Sequence, residues 1–234
     1  MCKELEIEKG KSQTMDVSTL KEQGNNFIQL QKFAEAIKCF TAALEIDPYN
    51  PVLYSNRSAA YSCLKEWRLA LSDSDQAIRC KPDWGKAYSR KGVAAFQLEK
   101  YEQAIFAYEQ AKLFEPKVPS HEENLRLAKS ALLAAQYHTL GEEKFLKDDF
   151  QLAIDWWNKA IELHATALYF SHRSKAHHSL TNYDSALSDA ENAILLRPDW
   201  DKGYRRKAEA LLAKNMKEEA NKILAKAEAV ANKK

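Results

Sequence analysis

Lys86 and Arg90 stand one helical turn apart in the stretch Asp83-Trp-Gly-Lys-Ala-Tyr-Ser-Arg-Lys91, and a near copy, Asp199-Trp-Asp-Lys-Gly-Tyr-Arg-Arg-Lys207, repeats the spacing with Lys202 and Arg206. Residues four apart share one face of a helix, so each copy stacks two cations on one side. Lys21 and Asn25 have the same spacing, and Asn56 supplies a further amide. Brought into one concavity, the three cations Lys21, Lys86 and Arg90 and the two amides suit carboxylates, because charge-assisted hydrogen bonds from Lys and Arg are the strong ones. An extended peptide ending in an acidic residue offers two carboxylates close together, its terminus and its last side chain.

The elements that must position these residues are legible as repeats. From Val17 the sequence recurs every 34 residues. Counting Val17 as position one, the eighth place is small (Gly24, Ser58, Gly92) and the twentieth is alanine (Ala36, Ala70, Ala104). The twenty-seventh is again alanine (Ala43, Ala77, Ala111), and the thirty-second is proline (Pro48, Pro82, Pro116). Two antiparallel helices approach closely only where side chains are small, and proline ends the second helix. The period resembles that of the tetratricopeptide helix-turn-helix repeat. A second set begins near Ala134, with Gly141, Ser174 and Ala208 at the small place and one unit shortened to 33 residues. In stacked pairs the first helix of each pair lines the inner surface, which turns Lys21, Asn25, Asn56, Lys86 and Arg90 inward.

The expected architecture is all-α: two right-handed superhelical arrays of three helix-turn-helix repeats each, joined by a linking helix. Residues 1–16 read as a flexible tail, 17–133 as a first three-repeat domain with a seventh capping and linking helix, and 134–234 as a second three-repeat domain. Thr19 with Glu22 and Ser120 with Glu123 have the spacing of capping boxes, so helices are expected to start at those two points. From the second point to Gly141 no Pro or Gly interrupts the chain, so the linking helix is expected to run on into the second array as a stiff coupling.

Composition narrows the chemistry. The 234 residues are 45% apolar and 29% charged, and 35 Lys plus Arg nearly balance 33 Asp plus Glu. No block of one charge sign exists, so no nucleic-acid partner is expected. No run approaches the roughly 18 apolar residues of a membrane span, so no membrane partner is expected either. Cys2, Cys39, Cys63 and Cys80 lack any C-x-x-C spacing, which suggests free thiols and, with no apolar leader at the start, a cytoplasmic protein. The glycines fall in packing places, at helix starts or in the tail, leaving none for a phosphate loop. His164, His172, His177 and His178 cluster in sequence, but no H-E-x-x-H or cysteine partner accompanies them. No metal, no cofactor and no enzyme activity are expected. The tryptophans Trp67, Trp84, Trp156, Trp157 and Trp200 read as packing residues of neighbouring helices.

Three segments, Lys-Glu-Gln-Gly-Asn (21–25), Leu-Tyr-Ser-Asn-Arg-Ser-Ala-Ala-Tyr (53–61) and Asp-Trp-Gly-Lys-Ala-Tyr-Ser-Arg-Lys (83–91), resemble the first tetratricopeptide domain of the Hop type of chaperone-organising co-chaperone. That resemblance implies an adaptor that grips the C-terminal Glu-Glu-Val-Asp of heat-shock protein 70 or 90 through a dicarboxylate clamp. The clamp positions are Lys21, Asn25, Asn56, Lys86 and Arg90. It further implies that Ile28, Ala59 and Ser62 line the groove beside the clamp. In the second array the corresponding residues are His138, Glu142, His172, Lys202 and Arg206, and only the last two match. Glu142 sets a negative charge where a peptide carboxylate would sit, unless it pairs with Lys202 or Arg206. The second array is therefore expected to bind such peptides weakly or not at all and to read another protein, and any histidine-driven binding there should strengthen below about pH 6.5. The rival reading is a scaffold of the same fold that binds an internal helix or extended segment and needs no free C-terminus.

Overall fold

The computed structural model describes residues 16–232, so what was expected of residues 1–15, Cys2 included, lies outside the described residues. Among the described residues every regular element is an α-helix, and none is long and apolar enough to cross a membrane. The chain divides into two compact units, Met1–Leu125 and Arg126–Lys234.

The first unit holds α1 (Val17–Gln29), α2 (Phe33–Ile46), α3 (Pro51–Cys63), α4 (Trp67–Cys80), α5 (Gly85–Gln97), α6 (Tyr101–Phe114) and the start of α7 (Pro119–Phe145). From α1 to α6 each helix packs on the next, and the first helices of the pairs, α1, α3 and α5, also pack along one another. The second unit continues α7 and adds α8 (Phe150–Leu163), α9 (Ala167–Ser179), α10 (Tyr183–Leu196), α11 (Asp201–Ala213) and α12 (Lys217–Ala231). There α8 to α12 pack in order, and α9 lies along α11. The segment expected as a linking helix and the first helix of the second array are one element, α7.

Two helix starts differ from the sequence expectation. Asp16 caps α1, its Oδ1 accepting from the Thr19 backbone N–H at 2.7 Å and from Ser18 Oγ at 2.9 Å. Those hydrogen bonds hold the Asp16 carboxyl below its usual range. Thr19 therefore sits inside the first turn, because a carboxylate three residues upstream takes up its orphan N–H. Helix α7 likewise begins at Pro119, whose fixed φ suits the first helical position, and this places Ser120 within the helix instead of at its cap.

In the first five helix pairs the side chain at repeat position eight is matched in size to position twenty-four. Gly24 faces Phe40, Gly92 faces Tyr108 and Gly141 faces Trp157, and a Cβ added at any of the three would lie 2.5 Å from the ring. Where the later residue is small, Ser74 or Ala190, the earlier one is serine, and its hydroxyl turns aside to a carbonyl. Ser58 Oγ donates to Ala70 O at 2.8 Å, and Ser174 Oγ donates to Ala186 O at 2.7 Å. Gly92→Ala is therefore expected to overpack α5 against α6 and to destabilise the first unit by about 1–3 kcal/mol. Urea denaturation followed by helix content checks this, and an unchanged midpoint would refute it.

The turn inside every pair passes through one left-handed residue at position fifteen. These are Gln31, Lys65, Glu99, Asp148, Thr181 and Asn215, with φ between 56° and 62°. This conformation closes the helix pair and costs roughly 1–2 kcal/mol per non-glycine residue, which the helix packing must offset.

A third recurring device joins neighbouring pairs. The Arg57 guanidinium donates to both oxygens of Asp73 at 2.7 and 2.9 Å, and to Thr41 Oγ1 of the preceding pair at 2.9 Å. In the second unit Arg173 donates to Asp189 at 2.8 and 2.6 Å and to Asn158 Oδ1 at 2.6 Å. Both aspartates are buried. The pairs hold α3 and α9 in fixed rotation about their axes, and α3 and α9 are the helices that carry Asn56 and His172.

Candidate functional site

The first unit brings its candidate residues onto α1, α3 and α5, the three first helices that lie side by side. Asn56 Nδ2 donates to Asn25 Oδ1 at 3.0 Å, so the two amides meet across α1 and α3. Arg90 is half-buried, and its Nε donates to Ser55 Oγ of α3 at 2.9 Å, which leaves the terminal N–H groups of the fork unused by this bond. Burial pulls the Arg90 guanidinium below its ordinary range, with Cys63 opposing the shift. Lys86 is exposed, and its backbone N–H is held by Glu115 Oε1 at 2.9 Å, which satisfies the first turn of α5. Lys21 lies one turn before Asn25 on α1. Ile28, Ala59 and Ser62 are all partly buried, and Ser62 Oγ donates to Ser58 O at 2.9 Å.

The charge pairing separates these cations from their neighbours. Arg57 is bound to Asp73, and Lys91 Nζ lies 2.7 Å from Asp75 Oδ1. Lys21, Lys86 and Arg90 form no ion pair with an acidic residue among the described residues. Three positive charges, one on α1 and two on α5 with α3 between them, thus remain available to an anion. One of them is partly desolvated, where a charge-assisted bond is worth most.

The second unit arranges the corresponding positions differently. Arg206 Nη1 is 2.6 Å from Glu209 Oε2, and its Nε is buried without a partner. Glu209 occupies the place that Val93 holds in the first unit, so the local anion that neutralises Arg206 has no counterpart beside Arg90. Glu142 rests against two histidines, 3.6 Å from His138 Nδ1 and 3.5 Å from His172 Nδ1, and not on Lys202 or Arg206. His138 Nε2 and His172 Nδ1 are 3.0 Å apart. The His138 ring stacks on Tyr169 and on His172, with centroids 4.7 and 5.0 Å apart, and Trp157 meets His172 edge-on at 5.8 Å. A pocket of about 340 Å³ opens beside them, lined by Glu142, Phe145, Leu146, Trp157, His172, Lys175 and Arg206.

The histidines close in sequence, His164, His172, His177 and His178, do not form a metal-type cluster among the described residues. The structure keeps His177 near Asp189 and His178 against Tyr183, and gathers His138, Glu142 and His172 instead. The repeat register had already set these three residues at corresponding places of one groove, and their signal in the sequence is the i, i+4 pair His138–Glu142 with a histidine one repeat later.

Burial, then the neighbouring His138, Arg206, Lys175 and Lys202, push the His172 imidazole from 6.5 down to about 4. For His172 this replaces the transition expected near pH 6.5. Between pH 6.5 and 4 the unfolded chain protonates His172 while the folded chain does not, so its contribution is intact above 6.5 and is lost as pH falls towards 4. The loss is at most about 3 kcal/mol. Thermal melts across this window should show a steeper acid decline for the native chain than for His172→Asn, and parallel curves would contradict the assignment.

Helix pairs of fixed period, with first helices aligned along one surface, define a helical-repeat protein. Residues 24–62 match the family described as TPR repeat, and residues 85–117 match that described as Tetratricopeptide repeat. RNA polymerase II-associated protein 3 of Homo sapiens is 41% identical over 117 residues, which are 50% of this chain and 18% of that protein. The chain thus spans about a fifth of the length of this curated relative. The solved structure described as the first TPR of Spaghetti (RPAP3) bound to HSP90 peptide SRMEEVD is 41% identical. It covers 50% of this chain and 93% of its own, with a TM-score of 0.49. The Sgt2 TPR domain from Aspergillus fumigatus is 31% identical, covers 54% of this chain and 87% of its own, and gives a TM-score of 0.50. The chain belongs to the tetratricopeptide-repeat family.

Proposed function

We propose that the first unit is a receptor for extended peptides that end in an acidic residue with a free carboxylate, of the Glu-Glu-Val-Asp kind found at the C-termini of heat-shock proteins 70 and 90. In this reading the chain is a co-chaperone adaptor. Lys21, Asn25, Asn56, Lys86 and Arg90 form the clamp, and Ile28, Ala59 and Ser62 line the groove for upstream peptide side chains. The second unit contributes a surface for another protein.

The observation that carries this reading is the trio of cations Lys21 on α1 and Lys86 and Arg90 on α5, without acidic partners among the described residues while neighbouring cations are paired. Fixed N–H groups and unneutralised charge favour an anionic ligand. Each charge-assisted bond contributes about 1.5–3 kcal/mol. After peptide ordering, a net near −7 to −8 kcal/mol corresponds to micromolar binding.

The test is a calorimetric titration of the whole chain with SRMEEVD, the peptide named with the Spaghetti domain, as free acid and as C-terminal amide. The acid is expected to bind at least about 10-fold more tightly, since the amide removes one of two carboxylates. Equal affinity for both would overturn the clamp and favour a scaffold that reads an internal segment.

A further inference from the structure

In the second unit the residues that depart from the clamp pattern form a constellation of their own. We infer that His138, Glu142 and His172 make a binding site for a divalent transition-metal ion of the zinc class, with the fourth coordination position open to the adjoining pocket. This inference stands apart from the peptide reading of the first unit, and it assigns a metal where sequence reasoning expected none.

The geometry carries it. One ligand atom from each of the three residues lies within 4.8 Å of the other two. His138 Nε2 to His172 Nδ1 is 3.0 Å, and His172 Nδ1 to Glu142 Oε1 is 3.5 Å. Ligand atoms at zinc bond lengths of about 2.0–2.2 Å in tetrahedral array stand roughly 3.3–3.5 Å apart, close to these two separations. Glu142 lies 3.6 Å from Nδ1 of His138, so its carboxylate has to swing towards Nε2 to share the same ion. His138 and Glu142 are one turn apart on α7, and His172 comes from α9. Two imidazoles and one carboxylate are the donor set of zinc sites that keep an open position.

The ligands are also held in place. His138 is buried, its ring lies between Tyr169 and His172, and Trp157 Nε1 donates to His138 O at 3.3 Å. Rigid aromatic walls of this kind preserve ligand orientation, much as outer hydrogen-bond partners do in metal centres. Glu142 and His172 border the pocket, so an ion between them would face its space.

Charge both opposes and directs the site. Lys175, Lys202 and Arg206 are close enough to act on His172. Glu209 pairs with Arg206, and Lys175 Nζ sits over the Phe145 ring at 4.7 Å, which tempers their repulsion of a cation. The same three cations favour an anion at the fourth position, and a carboxylate is the natural candidate. A metal would thus replace, in the second unit, the anion-binding role that Lys21, Asn25 and Asn56 are proposed to play in the first.

The experiment uses the untagged full chain, stripped with EDTA and with its accessible thiols alkylated, because Cys63 is exposed and a thiolate is itself a zinc ligand that would compete with the site. Co²⁺ titration is followed by visible absorption and Zn²⁺ titration by calorimetry. One equivalent is expected, with the intense visible band of low-coordinate cobalt that zinc then abolishes. Glu142→Gln and His172→Asn should each weaken binding by more than about 100-fold, beyond the 10–100-fold typical of outer-shell partners. The double variant His177→Asn/His178→Asn should bind as the native chain does. Circular dichroism confirms that each variant is folded, and Glu142→Gln, on a partly exposed side chain, keeps the test valid if His172→Asn is not. Absence of saturable binding would overturn the inference. So would binding that survives Glu142→Gln, or binding lost in the His177/His178 control.

Discussion

Replacing Arg90 with alanine is expected to lower the affinity of the chain for a free-acid Glu-Glu-Val-Asp peptide by at least about 30-fold, the equivalent of roughly 2 kcal/mol or more. Arg90 is the half-buried member of the proposed clamp, and its fork is oriented by the 2.9 Å bond from Nε to Ser55 Oγ. A charge-assisted bond made there is screened less than one made by exposed Lys86. Arg90→Lys should not rescue binding, since a single ammonium cannot keep Ser55 and also present two parallel N–H groups to a carboxylate. Lys86→Ala is expected to act in the same direction through its charge alone. Arg206→Ala, in the second unit, should change affinity for this peptide by less than about 3-fold, because Glu209 already occupies that guanidinium. Calorimetry on the whole chain distinguishes these outcomes. A loss in Arg206→Ala equal to that in Arg90→Ala would mean that the peptide does not choose the first unit.

The second large effect concerns stability. Asp73→Ala leaves the Arg57 guanidinium enclosed with only Thr41 as a hydrogen-bond partner, and removing one partner of a buried pair costs about 3–5 kcal/mol. The Asp73 side chain is 7% exposed and Arg57 16%, so water cannot replace what is lost. Amide hydrogen exchange in α3 and α4 should accelerate by roughly 100- to 5,000-fold, while α9 and α10, held by Arg173 and Asp189, keep their protection. The paired replacement Arg57→Met/Asp73→Leu should recover much of the loss, since an apolar pair of similar volume avoids the stranded charge. Unchanged exchange in Asp73→Ala would show that the ion pair is incidental. Because Asn56 precedes Arg57 on α3, peptide affinity is expected to fall with the same substitution.

How much of this was legible beforehand follows from how local each interaction is. The repeat register, the close approach at Gly24, Gly92 and Gly141, and the alanines at positions twenty and twenty-seven depend on helix pairs a few turns apart in sequence. Fixed periodicity reports such contacts directly. The matching of Gly24 with Phe40 and of Ser58 with Ser74 was present in the sequence as well, sixteen residues apart, as was the spacing of Arg57 and Asp73. Caps were harder to read. Asp16 stood at the edge of a polar tail, and nothing in the order of residues says whether it or Thr19 caps α1; the bond from the Thr19 N–H to Asp16 Oδ1 does.

Position in a repeat places a residue on a face, and for the first unit that was enough to nominate Lys21, Asn25, Asn56, Lys86 and Arg90 as neighbours. Their partners were not readable at that level. That Arg90 rests on Ser55, that Arg206 turns to Glu209 and that Glu142 lies between His138 and His172 are decided by side-chain rotamers and by burial across adjacent repeats. By itself the sequence determined the helical repeats and which faces align, because those arise from short-range spacing of small and large side chains. Only the tertiary structure decided which charges were already neutralised and which stayed open to a ligand, because neutralisation depends on rotamers and on distances of a few ångströms, within one helix for Arg206 and Glu209 and between helices for Arg57 and Asp73.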